Sequence, residues 1–248
     1  MLTGSALAGL VGSVGAFETA RATGPAAVRS ARPADGIASA VGVDLTWRVR
    51  TGRREIALTF DDGPDPEWTP QVLTMLRRHG AKATFFVIGR HVERHPELVR
   101  RTVGEGHEIG NHTWSHAHLD RCNAGKVREQ LNRGSAAIAA VTGARPRLFR
   151  PPRGIIGPVG LLAAAETDQA IVLWSTLIRG RSPWSDLDRV VASITPGSIV
   201  LGHDGGPTPR QELMLAIDQL LSRLGDQGYR FVTVSALRAG TPADTALL

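Results

Sequence analysis

Two adjacent carboxylates, Asp61 and Asp62, close an apolar run and stand before Gly63-Pro64 in the stretch TFDDGP. A surface turn needs only one Asp before a Gly. Two like charges side by side suggest either a solvated turn or a site in which each carboxylate has its own task. Further along, NHTWSH places His112 and His116 at i and i+4. On a helical turn both imidazoles would share one face, at a separation suited to a divalent cation. Two imidazoles and one carboxylate leave coordination positions for water and substrate, as a catalytic rather than a closed structural site requires. One Asp can then ligate while its neighbour accepts a proton from water acidified by the cation. The cation also relieves the repulsion between the two carboxylates. Alone the H-x-x-x-H pair is weak evidence, because the chain has eight histidines.

Two further residues end apolar runs. Arg150, in FRPPRG, reads as a surface ion pair or as a guanidinium that grips a carboxylate and keeps it ionised. His203, in IVLGHDGG, reads as a structural histidine or as a general acid.

The elements that must position these groups follow an alternating pattern. EIALTF, ATFFVIG, HEIGNH, PRLF, IVLWS, GSIVLGHD and YRFVTVSAL read as strands, separated by amphipathic helical stretches. That alternation argues for a parallel sheet covered by helices, closed into a barrel or left open. Asp61-Asp62, His112, Arg150 and His203 all follow the C-terminal ends of strands, the end where barrel enzymes gather their reactive groups.

Composition narrows the function classes. The chain has 248 residues, 42% of them hydrophobic, enough for a sizeable core. Its formal charge is +6, but the basic residues are scattered and include only two lysines, so no nucleic-acid stripe is expected. Attraction to an anionic surface such as a cell envelope fits this charge. The single cysteine, Cys122, excludes an intrachain disulfide and a thiolate cage. Residues 1–17, MLTGSALAGLVGSVGAF, resemble the apolar core of an export signal or an ordinary N-terminal helix, and no later run has transmembrane length. Residues 18–51 read as a linker or extension, 52–238 as the single folded catalytic domain, and 239–248 as a tail. A secreted or cell-envelope location is expected, with a cytoplasmic one as the alternative, and a monomer.

The order T-F-D-D-G-P, H-T-x-x-H, R-x-P-x-G and L-x-H resembles the polysaccharide deacetylase family, carbohydrate esterase family 4, over roughly residues 52–238. The resemblance implies an α/β fold, a distorted (β/α)7 barrel. It also implies hydrolysis of N- or O-linked acetyl groups from a sugar or polysaccharide with one divalent ion, commonly Zn2+, with Co2+ or another ion as alternatives. Asp61 would be the base, oriented by Arg150, and His203 the acid. Asp62, His112 and His116 would hold the metal. Leu201, Arg153 and Trp174 would line the substrate site, Leu201 against the acetyl methyl and a backbone N–H near Arg153 against the oxyanion.

Two departures stand out. Arg153 replaces the usual aromatic, which suits an acidic sugar or a solvated side chain. Leu177 and Gly180 occupy the positions of two aspartates that follow Trp174-Ser175, the later of which normally accepts a hydrogen bond from the acidic histidine. Asp186 is a possible substitute. A hydrolase of another small amide, and a carbohydrate-binding relative with weak chemistry, are the competing readings.

Overall fold

The structure is a computed structural model that describes residues 42–178, 183–206 and 210–240. Among these residues the chain runs β1 (Leu45–Thr46), β2 (Glu55–Asp61), α1 (Thr69–Arg78), β3 (Ala83–Val87), α2 (Gly89–Arg94), α3 (Pro96–Gly104) and β4 (Glu108–Asn111). It continues with α4 (Ala124–Thr142), β5 (Leu148–Phe149), α5 (Pro158–Glu166), β6 (Ala170–Val172) and β7 (Thr176–Leu177). Last come α6 (Pro183–Ser193), β8 (Ile199–His203), α7 (Gln211–Asp226), β9 (Arg230–Phe231) and α8 (Val234–Ala239). The strands pair in the order β1-β6-β5-β4-β3-β2-β8-β7, with β9 also on β2, and every pair is parallel. The result is a curled parallel sheet wrapped by helices, the distorted barrel that the resemblance implies.

Strand parity sorts the side chains. In β2, Ile56, Leu58 and Phe60 join the layer formed by Val72, Leu73 and Leu76 of α1 and by Leu213, Ile217, Leu220 and Leu224 of α7. Burying each such side chain contributes roughly 1.5–3 kcal/mol. The alternate residues belong to the other face. There Ala57, Phe86, Leu148, Val172 and Ile199 form the apolar interior, with Val234 and Leu237 of α8 packed on it. Two residues further along the same strands stand Thr59, Arg150, Trp174 and Leu201, and beyond these Asp61 and His203. The inner face therefore turns from apolar to polar toward the strands' C-terminal ends.

Three elements differ from the sequence reading. Residues expected in the linker join the sheet: β1 pairs with β6, and Arg48 bridges Ser198. YRFVTVSAL, read as a strand, is strand only at Arg230–Phe231. Thr233 then caps a helix by accepting from the Ala236 N–H, and Val234 and Leu237 bury one helical face. The strand ATFFVIG ends at Val87, where the unexpected helix α2 begins. Gly180 lies outside the described residues, as does the side chain of Asp186.

His107, at the entry to β4, is buried, and its Nδ1 accepts the Ala83 N–H at 3.2 Å. Burial, helped by the Lys82 charge, pushes its pKa down to about 4. A proton on Nδ1 would remove that acceptor. The unfolded chain therefore binds this proton first, and stability is lost as pH falls from about 6.5 toward about 4. Thermal melts of wild type and His107→Asn, whose amide oxygen can replace Nδ1, test this. Wild type should lose about 1–2 kcal/mol more than the variant between pH 7 and pH 4.5. Parallel curves would contradict it.

Candidate active site

Asp61 lies at the end of β2 in register with His203 of β8 and Phe86 of β3. Its Oδ1 accepts from Arg150 Nη1 at 2.8 Å. Arg150 is fully buried, so each donor needs a partner. Nη1 also meets Thr59 Oγ1 at 2.8 Å, Nε donates to Val172 O at 3.0 Å, and Nη2 donates to Leu173 O at 3.1 Å. The guanidinium also lies over the Phe86 ring, 4.1 Å from its centroid. Arg150 thus orients the Asp61 carboxylate.

Asp62, one residue beyond the strand, turns into the left-handed region with φ 76°. Such strain costs on the order of 1–3 kcal/mol and persists where the surroundings enforce it. The turn aims the carboxylate at two imidazoles: Asp62 Oδ1 is 3.7 Å from His112 Nε2 and 3.5 Å from His116 Nε2. One donor atom from each of the three residues lies within 4.8 Å of the others. His112 Nδ1 lies 2.7 Å from the Arg150 carbonyl, which can only accept, so Nδ1 is the donor and Nε2 is the ring nitrogen turned toward Asp62. His116, half-buried, has its pKa pushed down to about 4, mainly by burial and then by the neighbouring His112 ring, so its ring is neutral as ligation requires. One carboxylate oxygen and two imidazole nitrogens fit one divalent cation.

The H-x-x-x-H spacing works differently from the expected helical turn. Residues 112–118 form no helix, and Thr113 and His116 both have left-handed backbones, φ 70° and 59°. Side chains pin this loop. Asn111 Oδ1 accepts the Thr113 N–H at 2.9 Å while its Nδ2 donates to Leu131 O on α4, and Thr113 Oγ1 accepts the His116 N–H at 3.0 Å.

The other expected residues gather at the same end of the sheet. His203 is largely buried, and its pKa is lowered by burial against the opposing charges of Asp61 and Asp62. Its Nδ1 has no hydrogen-bond partner among the described residues. Leu201 is buried in register with Leu177, which is half-buried on β7. Trp174 lies 5.7 Å from the Arg150 guanidinium. A Cβ on Gly154 would lie 2.7 Å from the Trp174 ring, so that ring supports the turn carrying Arg153. Arg153 is exposed with φ 62°, and its charge helps lower the His116 pKa.

Sequence reading missed Asn111, and it also missed Asp204. The Asp204 carboxylate is fully buried, accepts from Thr69 Oγ1 at 2.6 Å, and lies where a Cβ on Gly63 would be, 2.4 Å away. Burial, together with the charges of Asp62 and Asp61, pushes its pKa up to about 7 despite the Thr69 bond. Thr69 Oγ1 accepts the Asp65 N–H in turn, so Asp204 fastens the loop that follows the two carboxylates.

Residues 48–170 match the polysaccharide deacetylase family. A peptidoglycan-N-acetylglucosamine deacetylase of Bacillus cereus is 42% identical over 199 residues, spanning 78% of this chain and 92% of the relative. A chitooligosaccharide deacetylase of a Bradyrhizobium species is 41% identical over 196 residues, spanning 72% and 88%. The crystal structure of the Bc1960 peptidoglycan N-acetylglucosamine deacetylase superposes with a TM-score of 0.76 at 35% identity, covering 81% of this chain and 94% of that one.

The donor set predicts a stabilising response to cations. Zn2+ or Co2+ at a hundredfold excess over its Kd should add about 2.7 kcal/mol of stability, read as a rise in Tm. His116→Ala should lose most of that rise while the metal-free Tm changes little. An equal response in both proteins would rule out His116 as a ligand.

Proposed function

The chain belongs to the polysaccharide deacetylase family, and on that premise we propose that it removes the N-acetyl group of a cell-wall sugar outside the cytoplasm, with Zn2+ held by Asp62, His112 and His116. The carrying observation is the Arg150-oriented Asp61 carboxylate beside that trio of donors, its Oδ2 3.7 Å from His112 Nε2. When bound, the cation supplies the positive charge that polarises the acetyl carbonyl and acidifies water. Asp61 takes the proton as the water oxygen attacks the carbonyl carbon. A backbone N–H near Arg153 donates to the developing oxyanion. As the C–N bond breaks, His203 gives its proton to the leaving amine, and acetate departs. Leu201 packs against the acetyl methyl, and Trp174 walls the site.

The substrate reading rests on the names of the relatives, on the net charge of +6, and on Arg153. An exposed guanidinium at the rim, with no hydrogen bond or ion pair among the described residues, suits a carboxylate on the substrate such as that of muramic acid. Among the described residues no helix is long and apolar enough to cross a membrane.

A second reading, a carbohydrate-binding relative with weak chemistry, draws on the Nδ1 of His203, which has no hydrogen-bond partner among the described residues. A histidine without that acceptor holds its proton less well at neutral pH.

Acetate release from N-acetylated oligosaccharides and peptidoglycan separates the two. Asp61→Asn should lower kcat by about 10²–10⁴ while Zn2+ affinity stays near wild type. Metal-loaded wild type that binds these sugars without releasing acetate would favour the binding reading. Arg153→Tyr should raise KM for a muramic-type substrate more than for a neutral one, and an equal change on both would remove Arg153 from substrate choice.

A further inference from the structure

Helix α2 opens beside both segments that carry the proposed metal ligands. The first N–H groups of a helix have no partner within it, and here they reach outward. Ile88 N donates to Gly63 O at 2.9 Å, directly after Asp62. Gly89 N donates to Thr113 O at 2.9 Å and Arg90 N to Trp114 O at 3.0 Å, between His112 and His116. One helix start therefore braces the carboxylate turn and the imidazole loop against each other.

His91 completes this brace with its side chain. Its Nδ1 lies 2.9 Å from the carbonyl oxygen of Asp62. A carbonyl only accepts, so Nδ1 is the donor. The same carbonyl is crowded by the main chain of Gly205, where a Cβ would lie 2.6 Å from the oxygen. The peptide plane after Asp62 is thus fixed by a hydrogen bond from His91 and by close packing against Gly205. That plane fixes ψ of Asp62, which together with its left-handed φ of 76° sets the backbone from which its carboxylate points.

We propose that His91 is a positioning residue for metal binding: its Nδ1–H holds the Asp62 carbonyl, and so keeps the Asp62 carboxylate turned toward His112 and His116. The proposal rests on the reading of Asp62 as a ligand. His91 touches neither the donors' ligating atoms nor Asp61, so its effect appears in affinity for the ion rather than in the proton transfers. Supporting groups of this kind commonly change metal affinity by 10–100-fold.

The test measures the Zn2+ Kd of metal-stripped full-length variants by competition with a chromophoric chelator, alongside the Tm of each metal-free protein. His91→Leu keeps bulk but has no donor, and should weaken Zn2+ by about tenfold or more. His91→Asn carries an amide nitrogen where Nδ1 stood, and should stay within about threefold of wild type. His91→Ala replaces His91→Leu should the latter be insoluble. Wild-type affinity in His91→Leu, with Asp62→Asn strongly weakened, would overturn the proposal and leave the ligand reading intact. Equal weakening in the Leu and Asn variants would also overturn it, since ring packing rather than the donated hydrogen would then be responsible. Unchanged affinity in Asp62→Asn would overturn the ligand reading, and the role of His91 with it.

Discussion

The buried ion pair between Arg150 and Asp61 is the constraint around which this fold is arranged. Removing a guanidinium and a carboxylate from water costs several kcal/mol per ion, and their attraction offsets this only where the remaining donors are also satisfied. Here the offset comes from three strands at once. Asp61 and Thr59 belong to β2, Arg150 follows β5, and the accepting carbonyls of Val172 and Leu173 lie at the end of β6. A shift of any one of these strands by a single residue would strand a buried charge. The main-chain carbonyl of Arg150 also fixes the His112 ring, so one residue sets both the orientation of the Asp61 carboxylate and the tautomer of His112.

Much of this was legible in the sequence because it follows from strand parity. Asp61, Arg150 and His203 each end a buried run, and alternate residues of a strand share a face, so these side chains had to meet inside a closed or curled sheet. The spacing of His112 and His116 was legible as a pair but not as a conformation. Helical periodicity was the wrong geometry for a loop whose shape comes from left-handed residues and the side chains of Asn111 and Thr113. His91 and Asp204 were illegible for another reason. Each acts on a segment distant in sequence, His91 on Asp62 and Asp204 on Thr69, and no local pattern announces such a contact. Strand β1 escaped notice because two residues carry no periodicity.

The strand that carries His203 has an apolar neighbour on its β7 side. Leu177 lies on β7 in register with Leu201, apolar on apolar. Asp204, the buried carboxylate that follows His203, faces Thr69 and Gly63. Asp204 thus supports the loop that follows Asp61 and Asp62 through Thr69, whose hydroxyl also accepts the Asp65 N–H.

Asp61 and His203 are register partners on adjacent parallel strands, with the Asp204 N–H donating to the Asp61 carbonyl at 3.1 Å. Their spacing is therefore a lattice constant of the sheet, roughly 4.8 Å between strands. Surface loops can lengthen, shorten or change sequence without altering it. The rim of the site can therefore be reshaped by its loops while the span between Asp61 and His203 stays that of two paired strands.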